Sequence, residues 1–169
     1  DIFPDLSRAK KGILSLLCFQ HLTTKMNVHS FTPLVHLKKG AEEQMVRPGD
    51  QFQTSKTYTH EDVIQFGDMT GDLGKHHTEL DDQGRLMVHG FLTASLATKL
   101  GGQFHFIGQE MTCTFIRPVY TGDTITCQMA VTKVEPLEKY HRVHLFSRYI
   151  NQHGEEVITG KSEGVVFKK

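Results

Sequence analysis

Two short stretches of this chain combine residue types and spacings that could do chemistry: GDLGKHH at 71–77 and VHGFL at 88–92. In the first, Asp72 precedes His77 by five positions, and Gly71 and Gly74 let the backbone turn sharply. A carboxylate and an imidazole that meet at one water form an acid/base pair. The imidazole titrates near neutral pH and can take and return a proton, while the carboxylate orients the water. The competing reading is a polar loop closed by an aspartate turn. In the second stretch, His89 and Gly90 stand directly before an apolar run. Backbone N–H groups at a helix start have no intrahelical acceptor and sit at the positive end of the dipole. Gly90 has no side chain to block approach, so a carbonyl oxygen lodged there would be polarised as in an oxyanion hole.

Metal chemistry is the other possibility for such residues. Asp72, His77 and His89 make a conceivable three-ligand set, but no HxxxH, CxxC or HExxH spacing accompanies them. His76 and His77 are adjacent and point apart on regular structure. His141 and His144, three apart on an expected strand, fall on opposite faces. Neither a metal nor a cofactor is expected.

The elements that must position these residues are legible from period and punctuation. QFQTSKTY (51–58) reads as a strand. THEDVIQFGDMTGD then changes period. Thr59 can cap a helix with Asp62 at the capping-box position, and Val63, Ile64, Phe66 and Met69 supply an apolar face. Gly71 ends it, which places Asp72 just beyond in a loop. GFLTASLATKLGG (90–102) has little polar surface and reads as one buried helix. After it the period becomes two. EMTCTFIRPV, DTITCQMAVTKV, HRVHLFSRYI and EEVITGKSEGVVF read as four long strands, with YTGD and NQHGEE as turns. A weaker strand is expected within VHSFTPLVHLKKG. One buried helix amid long antiparallel strands predicts an α+β hot-dog fold, a curved antiparallel sheet wrapped around a central helix. Its one-helix core is small, so a homodimer or higher homo-oligomer is expected.

Composition narrows the function classes. At 169 residues the chain is sized for one domain with a real core. Lys+Arg and Asp+Glu balance at 19 each, which gives no electrostatic reason for nucleic acid or an anionic membrane as partner. No apolar run approaches the ~20 residues of a membrane span. Three cysteines without a CxxC suit a reducing compartment, so a cytoplasmic location is expected. Residues 1–26 read as a peripheral extension ahead of or ending at Met26, and 27–169 as the single domain. GILSLLCF, behind Lys10 and Lys11, faintly resembles the core of a signal peptide, but no small-residue cleavage site follows it.

GDLGKHH, then VHGFLTASLATKL, then GQEMTCTFIRPVYTGD together resemble the MaoC-like hot-dog hydratases, including the (R)-specific enoyl-CoA hydratases. The family pattern runs G-D-x-N-P-x-H, V-H-G-x-L-x-A-S-L, and G-x-x-x-x-F-x-x-P-V-x-x-G-D, and the resemblance covers roughly residues 50–168. It implies reversible hydration of trans-2-enoyl thioesters to (R)-3-hydroxyacyl thioesters in fatty acid metabolism, carried on coenzyme A or an acyl carrier protein. It implies Asp72 and His77 as the water-activating pair and the Gly90 N–H as the donor to the thioester carbonyl. His89, Ser95 and Thr98 would line the substrate. The chain departs from the pattern in two places. Gly74-Lys75 replaces Asn-Pro, which loosens the loop and gives His76 a claim on the role of His77. The stretch from His77 to His89 is several residues shorter than usual. A hot-dog acyl-CoA thioesterase and a non-enzymatic acyl-thioester binding module are the alternatives. The core helix GFLTASLATKLGG carries no acid of the kind such thioesterases place there.

Overall fold

The computed structural model describes residues 45–168. The expected extension and the weak strand expected within VHSFTPLVHLKKG lie outside them. The elements are β1 (Gln51–Thr57), α1 (His60–Thr70), α2 (Lys75–Thr78), α3 (Gly90–Ala94), α4 (Leu96–Gly101), β2 (Ile107–Phe115), β3 (Thr124–Pro136), β4 (Tyr140–Ile150) and β5 (Glu156–Phe167). A single 3-10 turn, Gly102–Phe104, follows α4.

The five strands form one sheet in the order β1-β3-β4-β5-β2, with every neighbouring pair antiparallel. β4 alternates along its length and β3 as far as Val131, as the period of two predicts; beyond it a bulge shifts the register. Ile125, Cys127, Met129 and Val131 of β3 and Val143, Leu145 and Tyr149 of β4 point inward, each 2% exposed or less. Leu96, Ala97 and Leu100 of α4 join the same core. Each such large apolar side chain contributes about 1.5–3 kcal/mol on burial. The sheet curves around this helix, and the chain has the hot-dog fold. On β4, His141 faces the core and His144 the outer side.

Two tyrosines fasten the helix to the sheet. Tyr149 donates its hydroxyl hydrogen to the Ala94 carbonyl at 2.7 Å, and Tyr58 donates to the Leu92 carbonyl at 3.4 Å. Burial pushes both phenols well above their ordinary range, so they stay protonated donors.

Three expectations are corrected. The helix over 90–102 is not continuous. It breaks at Ser95, whose hydroxyl donates to the Leu92 carbonyl at 2.6 Å, while Thr98 N bonds back only three residues to the Ser95 carbonyl. Thr98 N thus follows the tighter three-residue spacing at this point, and Tyr149 holds the Ala94 carbonyl beside it. The apolar residues of α1 and α3 are also less buried than their composition suggests: Ile64, Met69 and Phe91 are 55%, 75% and 70% exposed. Finally, the strand expected at 110–119 lies at Ile107–Phe115 and is exposed along nearly all its length, because α4 packs over the β1–β3 end of the sheet and β2 lies at the opposite edge.

Candidate active site

Local sequence delivers Asp72 and His77 to one place. Thr59 caps α1: its hydroxyl accepts from Asp62 N at 3.2 Å, and the Asp62 carboxylate accepts from Thr59 N at 2.9 Å. At the other end Gly71, with φ of 78°, adopts the left-handed conformation that costs glycine least, and its N–H donates to the Gly67 carbonyl. The chain turns there and presents Asp72. Oδ1 of Asp72 accepts the Gly74 N–H at 3.4 Å, so the aspartate turn expected as the competing reading is present. It coexists with the pair, because Oδ2 stands 3.8 Å from Nε2 of His77.

His77 lies on a helical turn rather than in a loop. The four residues of α2 bury its ring to 7% exposure and leave His76 exposed. The two adjacent rings do not diverge as expected: their centroids are 3.9 Å apart, with planes tilted by 56°. Nδ1 of His77 donates to the Met87 carbonyl at 2.6 Å, which leaves Nε2 as the lone-pair nitrogen facing Asp72. Met87 is itself fixed. Its N–H donates to the His76 carbonyl, it bridges to Tyr120, and the neighbouring Val88 N–H donates to Val119 O. Desolvation is the main cause that holds the His77 imidazole below its ordinary range. His89 and His76 add to the effect, and the Met87 bond and Asp72 oppose it. The ring is therefore a neutral base at neutral pH.

His89 and Gly90 complete the cluster. His89 is 2% exposed and stacks on His77 with centroids 3.7 Å apart and planes 19° from parallel. Its Nε2 donates to the Asp72 carbonyl at 3.0 Å. Gly90 opens α3, where its N–H has no acceptor within the helix. A β-carbon at Gly90 would lie 2.7 Å from the Phe115 ring, so only glycine lets β2 come this close to the helix start. Ser95 and Thr98 sit on the following turns, and both direct their hydroxyl hydrogens to helix carbonyls, Leu92 O at 2.6 Å and Ser95 O at 2.7 Å.

A ligand nitrogen from each of His77 and His89 and a carboxylate oxygen of Asp72 lie within 4.8 Å of one another. Ring orientation argues against a shared cation. Imidazole lone pairs lie in the ring plane, and in stacked rings they run side by side instead of converging as a tetrahedral ion requires. Thiol chemistry is disfavoured too: burial pushes Cys127 up to about 12 and raises Cys113. The Met87 carbonyl and the Phe115 ring belong to the site without a signal in the sequence. The first acts through its backbone alone. The second comes from a distant edge strand, and Gly90 was the only hint of a close approach.

The arrangement can be set beside known proteins. A profile of the thioesterase superfamily matches residues 91–136. Compared by sequence with curated proteins, the chain has no match. Its structure is similar to that of the (R)-hydratase from A. caviae involved in PHA biosynthesis, with a TM-score of 0.65 and 26% identity over 74% of this chain and 99% of that one. R-hydratase PhaJ1 from Pseudomonas aeruginosa gives 0.64 and 23%, covering 73% and 84%. The MaoC-like dehydratase from Rhodospirillum rubrum gives 0.60 and 21%, covering 73% and 94%. Hot-dog hydratases and dehydratases are thus among its structural neighbours, at identities that speak for the fold. No described helix is long and apolar enough to cross a membrane.

Proposed function

We propose that this protein is a lyase that reversibly adds water to trans-2-enoyl thioesters, giving 3-hydroxyacyl thioesters of R configuration. The observation that carries the reading is the pairing of two acceptors, the lone pair of His77 Nε2 and Asp72 Oδ2, 3.8 Å apart. Neither can donate to the other, so a water that gives one hydrogen to each is the natural occupant. As the water oxygen bonds the β-carbon of the enoyl group, its proton passes to His77 Nε2. The π-electrons move to the thioester oxygen, and the Gly90 N–H stabilises that enolate. The α-carbon then takes a proton from the pair, and the neutral imidazole returns. No metal or cofactor enters, because the thioester acidifies the α-carbon.

The carrier is coenzyme A or an acyl carrier protein, and the setting is fatty acid metabolism in the cytoplasm. A homodimer is supported by β2: an edge strand with Ile107, Met111 and Phe115 each 45% exposed or more is an open template for a second copy. The test is the loss of enoyl absorbance from crotonyl-coenzyme A. Wild type turns it over, and Asp72→Ala and His77→Ala lose a factor of about 10²–10⁴. A wild type silent toward crotonyl- and longer enoyl-thioesters overturns the reading. The superfamily profile over 91–136 supports thioester hydrolysis as a second reading. Against it, α3, α4 and the 3-10 turn carry no Asp or Glu. Release of free thiol from acyl-coenzyme A separates the two.

A further inference from the structure

We propose that His89 is a positioning residue that joins Asp72 and His77 into one unit, rather than a contact of the substrate. This rests on the proposed acid/base role of that pair. Neither nitrogen of His89 is available to a ligand. Nε2 donates to the Asp72 carbonyl at 3.0 Å, and Nδ1 is buried, with no hydrogen-bond partner among the described residues. A solvent-inaccessible imidazole with one nitrogen engaged and the other enclosed cannot meet an acyl thioester that enters from outside. Its ring faces do the work instead. One stacks on His77 at 3.7 Å, and Phe66 of α1 packs at 5.0 Å with its plane tilted by 54°. Gly67 lets α1 approach: a β-carbon there would stand 3.3 Å from the Asp72 carbonyl and 3.8 Å from His89 Cε1. One side chain thus touches the helix before the carboxylate, the backbone of the carboxylate itself and the ring of the base. It also immediately precedes the proposed oxyanion donor.

Two separable consequences follow. The Nε2–H bond holds the Asp72 backbone, and so fixes where Oδ2 stands relative to His77. The stacked ring sets the orientation and surroundings of His77. The titratable groups facing His77 are Asp72 from the loop, His76 from its own helix and His89 from the cap of α3. Replacing His89 therefore removes one of the groups that disfavour the His77 imidazolium.

The test compares His89→Phe, which keeps an aromatic ring and loses the donor, with His89→Gln, whose amide nitrogen can replace Nε2–H without the stack. For His89→Phe, kcat falls about 10–100-fold with KM nearly unchanged, the size of loss that follows removal of the outer-shell partner of a metal-ligating histidine. His89→Gln recovers a large part of that loss. In both variants the acidic limb of the pH–rate profile moves upward. A purely structural role would lower the amount of folded enzyme and leave the limb where it was. NMR titration of the His77 ring in the ligand-free protein reads the same shift without turnover. It therefore tests His89 even if no hydration is detected, in which case the hydratase reading fails and not this one. A folded His89→Phe with wild-type kcat and an unmoved His77 titration overturns the proposal. If His89→Phe does not fold, His89→Gln carries the test: an unmoved titration overturns the proposal and an upward one supports it.

Discussion

His77 and His144 each face a carboxylate, and the one with the shorter contact is the one without a proposed reaction. His144 stands on the outer face of the sheet with Nε2 3.1 Å from Glu135 and Nδ1 3.6 Å from Glu163. Lys133 lies 2.6 Å from Glu135, and Arg142 lies 3.3 Å from Glu163. Every side chain in that chain has an opposite partner and is partly open to solvent. His77 has a single, longer contact to Asp72 at 3.8 Å, but its ring is buried and its other nitrogen is locked to a carbonyl. The difference teaches that proximity of carboxylate and imidazole does not by itself make a base. An imidazole whose two nitrogens both face carboxylates has no side left open for a water. One with Nδ1–H tied to a backbone oxygen keeps Nε2 open and aimed.

The comparison breaks most visibly if the two histidines behave alike. His77→Ala is expected to cost about 10²–10⁴ in turnover of crotonyl-coenzyme A, and His144→Ala less than about twofold. Equal losses would remove the distinction. Next in size is Gly90→Ala. The added β-carbon meets the Phe115 ring at 2.7 Å, so the helix start or β2 must shift, and turnover falls by about 10²-fold. A second change, Phe115→Ala, relieves the clash and restores part of the rate, a coupling that a double-mutant cycle measures.

pH sharpens the contrast at lower amplitude. His77 is held below its ordinary value of 6.5, so the base is already unprotonated at mildly acidic pH. The rate should rise with pH through a midpoint under 6.5 and then level. The same depression has a stability consequence of fixed sign. Below 6.5 the unfolded chain binds a proton that the folded one resists, so His77 lowers stability as pH falls through that region. Thermal unfolding of wild type and His77→Phe across pH 5–8 checks it: the variant should lose less stability on the acid side. The smallest effect belongs to the outer network. Glu135 is pulled down to about 2, chiefly by Lys133 and then by His144. Its contribution is present above the ordinary glutamate value and is lost as pH falls toward 2. It is partly exposed and screened by solvent, so Glu135→Gln should barely change Tm at neutral pH, and less still at high salt.

Much of this protein is determined by local pattern in the sequence. The capping box at Thr59 and Asp62, the stop at Gly71, the alternation of β3 and β4 and the turn-bounded strand order are each set by neighbours in the chain, and they predict the hot-dog fold. The candidates Asp72, His77, His89 and Gly90 are legible for the same reason, as motif residues beside element boundaries. What tertiary structure alone decided depends on groups far apart in sequence or without side chains. The Met87 carbonyl selects which nitrogen of His77 is open. Tyr149 reaches from β4 to the Ala94 carbonyl and fastens to the sheet the point beside Ser95 where a helix that reads as continuous divides. β2 loses its inward face because α4 packs over the β1–β3 end of the sheet, so the period of two in β2 has little layer to meet. His89 has the same identity whether it touches a substrate or supports the pair. Only burial, stacking on His77 and the bond to the Asp72 backbone distinguish the two, and those depend on where three separate segments meet.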